Sequence, residues 1–212
     1  QGIERFSFAT GAAVDVMVSK AELNVNGAPL SFSSYEFAPG ERYVILETDI
    51  EPIYRHSYTA KVYVWDRQAK KLAQVYGKPI QNPVLSPDGT QLAFVFERNI
   101  YVQNLATAAV KQVTTDGEDN AILNGAPDWV YDEEFGFHVA LAWSPDSKSL
   151  AYLRFDERAV PTFSMDMYGS DTYPKPYVFK YPKAGEVNSV VSLHVWNGSS
   201  TVTASEGLKY EY

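Results

Sequence analysis

Three consecutive acids, Asp132-Glu133-Glu134, lie among aromatic residues and form the cluster in this chain with the clearest potential for chemistry. Neighbouring like charges repel one another and resist desolvation, so such a cluster either stays in water or binds a cation. A protonated amine offers three donors and one positive charge, and two ionised carboxylates supply matching acceptors. The alternative is an exposed loop or the first turn of a helix, where acids favour the positive end of the helix dipole. The residues alone leave both interpretations open.

No complete catalytic constellation accompanies these acids. The three histidines, His56, His138 and His194, lack metal-ligand spacing to one another or to an acidic cluster, which favours structural roles. The sequence has neither a Gly-x-Ser-x-Gly elbow nor a Gly-rich phosphate loop. It contains no cysteine, which excludes disulfides, thiolate catalysis and cysteine-ligated zinc. We therefore expect no metal, no cofactor and no catalytic residue within the chain.

Composition sets the outer limits on fold and partners. Of the 212 residues, 45% are hydrophobic and 14% aromatic, which is typical of a globular protein. The formal net charge is −8 and no lysine- or arginine-rich run occurs, which argues against a nucleic-acid or anionic-membrane partner. No apolar window of about 18 residues predicts a membrane-spanning helix. The chain starts at Gln1 without an apolar leader, which suggests a processed or trimmed chain.

Short strands, rather than helices, must position the acids. Segments rich in β-branched and aromatic residues alternate with turn residues, and no long stripe with a 3.6-residue period competes with them. We therefore expect an all-β fold. The predicted strands include residues 43–46, 60–65, 91–96, 100–102 and 149–153.

An internal repeat organises these strands. Residues 35–46, 83–94 and 141–152 share the order strand, Ser/Ala-Pro turn, strand. Proline fixes φ at the first corner of such a turn, and Asp or Gly tolerates the tight conformation that follows. The turn prolines at positions 39, 87 and 145 are 48 and 58 residues apart, near the length of a four-stranded propeller blade. Three repeats cannot close a ring, so the pattern predicts part of a β-propeller; a β-sandwich with three similar hairpins is the alternative.

The acidic stretch and its surroundings resemble a known family. Residues 128–134, Asp-Trp-Val-Tyr-Asp-Glu-Glu, followed by Trp143-Ser144-Pro145-Asp146, closely resemble the double-glutamate motif of the dipeptidyl peptidase IV family. Three further stretches are similar to that family in the same order. They are Arg55-His56-Ser57-Tyr58-Thr59-Ala60, Ile100-Tyr101-Val102, and residues 181–188, Tyr-Pro-Lys-Ala-Gly-Glu-Val-Asn. The resemblance covers roughly residues 30 to 195.

This resemblance implies that residues 1–212 are part of the N-terminal eight-bladed β-propeller, built of four-stranded antiparallel blades, of a bacterial serine exopeptidase. Family members release N-terminal dipeptides with Pro or Ala at the second position. Their catalytic α/β-hydrolase domain, with its Ser-Asp-His triad, would follow this chain, so the fragment should be inactive alone. Glu133 and Glu134 map onto the acids that bind the α-amino group of the substrate from a short helical segment. Asp132 is expected to cap that segment or to face solvent.

The resemblance does not extend to one positively charged residue that binds substrate in the family. The family has an arginine, shortly before the strand that leads into the second Ser-Pro turn, which contacts a substrate carbonyl. In residues 76–82 of this chain the nearest cation is Lys78. Lysine supplies charge but no bidentate fork. Lys78 is therefore a candidate carbonyl-binding residue, with a solvated loop lysine as the alternative.

The expected partners follow from the same resemblance. They are peptides with a free N-terminus, the hydrolase domain of the same protein, and a second copy bound through an extended arm at residues 156–185. A loop folded over its own propeller is the alternative for that arm. A cysteine-free chain suits a bacterial member of periplasmic, cell-surface or secreted location. Residues 205–212 match nothing recognisable. The competing function classes are a non-catalytic propeller that binds protein or carbohydrate and the propeller of a related prolyl tripeptidyl peptidase.

Overall fold

The structure, a computed structural model, describes residues 2–205 and consists of short β-strands with one brief α-helix. The helix α1 spans Trp129–Glu133, and a 3₁₀ turn spans Lys20–Glu22. The strands are β1 (Ile3–Phe6), β2 (Ala13–Val18), β3 (Asn24–Val25), β4 (Ala28–Pro29), β5 (Ser34–Phe37), β6 (Tyr43–Pro52), β7 (Tyr58–Asp66), β8 (Lys71–Leu85), β9 (Gln91–Phe96), β10 (Asn99–Asn104), β11 (Val110–Gln112), β12 (Ile122–Asn124), β13 (Leu141–Trp143), β14 (Leu150–Asp156), β15 (Thr162–Met167), β16 (Lys175–Lys180), β17 (Val190–Trp196) and β18 (Thr201–Thr203). The prediction of an all-β fold with a short helical segment is confirmed.

The chain divides into two compact units. The first comprises residues 1–51 and 59–79, and the second comprises residues 52–58 and 80–212. In the first unit, β1 pairs with β2, β3 pairs with β4, and the strands β5, β6, β7 and the first part of β8 follow one another in one antiparallel sheet. Its core is an apolar cluster that includes Leu23, Val44, Leu46, Tyr63 and Trp65.

The three predicted Ser/Ala-Pro turns all form hairpins with the same hydrogen bonds. The amides of Ala38, Ser86 and Ser144 donate to the carbonyl five residues later, at 3.0, 2.8 and 2.8 Å. The residue three positions on has a left-handed backbone in every case, with φ of 55° at Glu41, 70° at Gly89 and 61° at Ser147. Because this turn chemistry is local, the sequence predicted all three hairpins.

The second unit contains two larger sheets and one separate two-stranded hairpin. In one, β9 pairs antiparallel with the end of β8 and with β10, and β10 pairs with β11. In the other, β14 pairs with β17, and β17 pairs with β18. The free side of β14 is covered by two short strands, because β12 pairs with its residues 154–156 and β13 pairs with its residues 150–152. The blade strand next to β14 is thus interrupted by residues 125–140, which carry α1.

The predicted arm also lies in the second unit. Between β14 and β17 the chain leaves the sheet and forms the separate hairpin β15–β16, paired from Thr162 opposite Lys180 to Met167 opposite Lys175. Several apolar side chains of this hairpin are exposed, among them Met165, Met167 and Val178. Of the tail at residues 205–212, in which the sequence shows no recognisable motif, residues 206–212 lie outside the described residues. Within the described part of the chain, no helix is long and apolar enough to cross a bilayer.

Candidate functional site

Helix α1 carries the predicted acid pair at its C-terminal end. Asp128 is the N-cap residue, and its side chain accepts a hydrogen bond from the Tyr131 amide at 3.1 Å. Glu133 is the last helical residue and Glu134 is the C-cap. The positive end of a helix dipole is its N-terminus, so the dipole does not explain an acid pair at the opposite end. The interpretation of Glu133 and Glu134 as first-turn acids is therefore wrong.

Aromatic packing holds this short helix on its blade. The ring of Tyr131 lies 5.1 Å from that of the fully buried Phe155 on β14, measured between centroids. On another side, the Trp129 ring lies 4.5 Å from that of Tyr181, just after β16. A five-residue helix is too short to be stable by itself, so these contacts must fix its orientation.

Glu133 is held by residues 53–57, the loop between β6 and β7, which we call the tip segment. Its Oε1 accepts a hydrogen bond from the Arg55 amide at 2.8 Å, and its Oε2 lies 3.0 Å from Nε of the same arginine. The Glu133 side chain is 16% exposed, whereas that of Arg55 is 69% exposed. The carboxylate is therefore fixed in place, and much of the guanidinium group stays accessible to a ligand.

Glu134 differs from its neighbour. Its side chain is exposed and forms no hydrogen bond or ion pair within residues 2–205. Phe135, directly after it, is also 58% exposed. The predicted pair thus consists of one carboxylate already bound to an arginine and one that is open to solvent.

Asp132 contradicts the sequence-based expectation. It is neither a cap nor exposed: Asp128 occupies the N-cap, and Asp132 is only 1% exposed. The physical reason is helical geometry, because each residue turns the side chain by about 100° and three successive acids cannot share one face. The Oδ1 atom of Asp132 accepts a hydrogen bond from the His56 amide at 3.1 Å. Its buried Oδ2 has no partner among the described residues.

A polar cavity of about 210 Å³ lies beside α1 in the second unit. Asp128, Glu157, Arg98 and Tyr54 are among its lining residues. Burial raises the pKa of Glu157 to about 7, and the negative charge of Asp128 adds to this effect while Arg98 opposes it. Burial also raises the pKa of Asp128, against hydrogen bonds from Ser189 and from the first amides of α1. The cavity therefore contains acids that hold their protons more strongly than usual.

The remaining predicted residues are Lys78 and the three histidines. Lys78 is exposed on β8 and belongs to the first unit. His56 and His138 stack with their ring centroids 6.3 Å apart, and Nε2 of His194 lies 2.9 Å from the Ser192 hydroxyl. Within the second unit, the structure thus brings the cation of Arg55 to Glu133.

Sequence reasoning missed two residues of this site. The sequence shows Arg55 only as part of a family-like stretch, because its partner Glu133 is 78 residues away and nothing local links them. Asp128 could have been recognised as a cap, since Asp is a preferred N-cap residue directly before a helix.

Antiparallel sheets built on a repeated hairpin define part of a β-propeller, and the acid-bearing helix α1 is inserted into one blade strand. Comparison with known proteins agrees. Residues 38–208 match the family described as the dipeptidyl peptidase IV (DPP IV) N-terminal region. The chain belongs to this family.

Three known proteins illustrate the relationship. The crystal structure of Porphyromonas gingivalis dipeptidyl peptidase 4 superposes with a TM-score of 0.87 and 41% identity over 98% of this chain and 30% of that one. Human prolyl endopeptidase FAP is 35% identical over 90% of this chain and 25% of its own length. Mouse inactive dipeptidyl peptidase 10 is 32% identical over 78% of this chain and 22% of its own length. The chain thus spans between a fifth and a third of the proteins it resembles.

Proposed function

We propose that this chain is the substrate-gating, N-terminus-binding propeller portion of a serine exopeptidase that releases Xaa-Pro or Xaa-Ala dipeptides. Glu133 and Glu134 bind the free α-amino group of the peptide. The observation that supports this most directly is their difference in environment: Glu133 is oriented by Arg55, and Glu134 is exposed without a partner in the described part of the chain. The parent protein is proposed to be the enzyme, with its catalytic triad in a hydrolase domain outside this chain.

The chemistry of the acids fits an ammonium ligand. At about 3 Å and an effective dielectric near 20, each carboxylate–ammonium contact has a gross attraction of about 5 kcal/mol, much of which desolvation cancels. Because Glu134 is exposed, binding an ammonium group displaces only water from its carboxylate. Glu133 keeps its contact with Arg55 and still has lone pairs that can accept a hydrogen bond from the ammonium group. Even a net gain of a few kcal/mol selects strongly for peptides with a free N-terminus.

A fixed amine also sets the length of the product. Two extended residues span only about 7 Å, so holding the α-amino group determines which peptide bond can reach a nucleophile. An amine-binding pair on a rigid blade would therefore act as a ruler for dipeptide release. A prolyl tripeptidyl peptidase, which is the alternative within the same family, would need one residue more between the pair and the nucleophile.

Arg55 is our preferred carbonyl-binding cation. Its guanidinium lies against Glu133 and is largely exposed, and the first carbonyl oxygen of a peptide lies only about 3 Å from the α-nitrogen. A guanidinium presents a planar fork of donors to such an oxygen, which an ammonium does not. Lys78 remains the competing candidate. In the full-length enzyme, Arg55→Ala should lower kcat/KM by about 10-fold or more, and Lys78→Ala should leave it unchanged; the reverse result would assign the role to Lys78.

The amine-binding role can be tested directly. In the full-length protein, Glu133→Gln and Glu134→Gln should each lower kcat/KM for a chromogenic Xaa-Pro substrate by about 10- to 100-fold, since a charge-assisted bond contributes about 1.5–3 kcal/mol. Glu118→Gln, at an exposed acid elsewhere in the second unit, is the matched control and should behave as the parent. An N-acetylated substrate should be cleaved poorly by all four proteins. Parental kinetics in both site variants would refute the assignment.

A non-catalytic binding propeller is the second candidate. It is favoured by the similarity to a relative whose name describes it as an inactive dipeptidyl peptidase. The full-length reading frame distinguishes the two functions, because the enzyme requires a following hydrolase domain with a Gly-x-Ser-x-Gly elbow and later Asp and His residues. A frame that lacks them would favour the non-catalytic propeller.

Dimerisation and location are further parts of the proposal. The exposed apolar residues of the β15–β16 hairpin support an arm that binds a second copy. Deleting residues 162–180 should convert the full-length protein from dimer to monomer in light scattering, and a dimer that survives the deletion would exclude the arm as the contact. We propose a bacterial periplasmic, cell-surface or secreted location.

A further inference from the structure

The buried acid Asp132 joins helix α1 to the tip segment. Two successive amides of that segment donate to two successive acids of the helix: Arg55 to Glu133 at 2.8 Å and His56 to Asp132 at 3.1 Å. The tip segment is also folded on itself, since the amide of Ile53 donates to the Ser57 carbonyl at 2.8 Å. The backbone on both sides of the Arg55 side chain is therefore restrained.

The ring of His56 adds a second contact between the same elements. It stacks on His138, and its Nε2 lies 3.8 Å from the position that a Cβ atom at Gly136 would occupy. Gly136 ends the helical segment in the left-handed region, with φ of 64°, and its amide donates to the Asp132 carbonyl at 3.2 Å. Backbone and side chain of Asp132 thus take part in the same local arrangement.

We propose that Asp132 is a positioning residue that holds the tip segment so that Arg55 is presented beside Glu133. This inference rests on the proposed function and assigns the third acid of the cluster a role of its own. At 1% exposure, Asp132 is out of reach of a substrate, so it does not bind the amine. It is also a poor choice for stability alone, because a buried carboxylate oxygen without a partner is costly and an apolar side chain would avoid that cost. The advantage of the carboxylate lies in its bond to His56.

Two substitutions separate this role from the alternatives. Asp132→Asn keeps an acceptor for the His56 amide and removes the charge, whereas Asp132→Leu keeps similar volume and removes the acceptor. In the full-length protein, we expect amide hydrogen exchange in the tip segment to become about 10-fold faster in Asp132→Leu and to stay within about threefold of the parent in Asp132→Asn. Asp146→Leu is the matched control, since Asp146 accepts a backbone hydrogen bond from Lys148 in a Ser-Pro turn of the same unit.

Kinetics then decide whether Asp132 acts through Arg55. Asp132→Leu should lower kcat/KM for an Xaa-Pro substrate by about 10-fold, Asp132→Asn should restore most of it, and Asp132→Leu should have no further effect in an Arg55→Ala background. An equal loss in Asp132→Asn would mean that charge matters and would overturn the proposal. The proposal would also be overturned if the losses of kcat/KM from Asp132→Leu and Arg55→Ala multiplied in the double variant. Unchanged amide hydrogen exchange of the tip segment in Asp132→Leu would overturn it as well.

The outcome also separates this inference from the proposed function. If Glu133→Gln and Arg55→Ala have parental kinetics, the peptide-binding role fails by itself. Hydrogen exchange in the tip segment does not depend on substrate, so it still decides whether Asp132 holds that segment.

Discussion

Replacing Glu157 with glutamine should stabilise the chain above pH 7 and have little effect below about pH 4.5. Glu157 is 5% exposed and lines the cavity beside α1, and its pKa rises from 4.5 to about 7 because burial disfavours its charged form. The unfolded chain releases this proton near pH 4.5, whereas the folded chain keeps it up to about pH 7. Folding stability that depends on this group is therefore lost as the pH rises between these values.

The size of the effect follows from the shift. A change from 4.5 to about 7 corresponds to on the order of 3 kcal/mol of unfolding free energy at high pH. Asp128 and Asp119 strengthen the shift, while Arg98 and Lys180 weaken it. Glutamine has the size of the protonated acid and no charge, so Glu157→Gln removes the cost of ionisation without opening a cavity.

Urea denaturation at pH 5 and pH 8 measures this prediction. The variant should gain stability relative to the parent as the pH rises, by about 2 to 3 kcal/mol in total. Glu118→Gln, at an exposed site in the same unit, should show no such trend. A difference between Glu157→Gln and the parent that stays constant from pH 5 to pH 8 would refute the reasoning, because it would mean that Glu157 titrates alike in the folded and unfolded chains.

Two further substitutions test how the blade supports the helix. Phe155→Ala should lower the free energy of unfolding by about 3 to 5 kcal/mol, since it empties a fully buried site against Tyr131, and a loss under about 1 kcal/mol in urea denaturation would contradict this packing. Asn82→Ala should lower the free energy of unfolding by about 2 kcal/mol, for two reasons. The amide group of Asn82 donates to the carbonyls of Gly125 and His138, at the two ends of the stretch that carries α1. In addition, its φ of 52° suits asparagine better than alanine. Asn82→Gly separates the two causes, because it loses the same hydrogen bonds as Asn82→Ala but tolerates the left-handed backbone. It should therefore be more stable than Asn82→Ala, and equal stability of the two variants would mean that backbone strain contributes nothing.

The hairpins show what can be predicted from sequence. The turns at Pro39, Pro87 and Pro145 form as expected because their conformations depend on four or five neighbouring residues. The spacing of those turns also indicated propeller blades, which the family match supports. The number of blades in the complete ring stays a prediction.

The site shows where such reasoning ends. The residues of the double-glutamate motif identified Glu133 and Glu134 as the candidate pair, and the short β-branched and aromatic segments between turn residues indicated an all-β fold. Only the tertiary structure distinguished Glu133, which is bound to Arg55, from Glu134, which is exposed to solvent. Only the structure showed that the side chain of Asp132 is buried. The Arg55–Glu133 contact joins residues 78 positions apart. Such contacts depend on how strands and inserted segments pack, which local propensity does not encode, whereas turn chemistry is complete within a few residues.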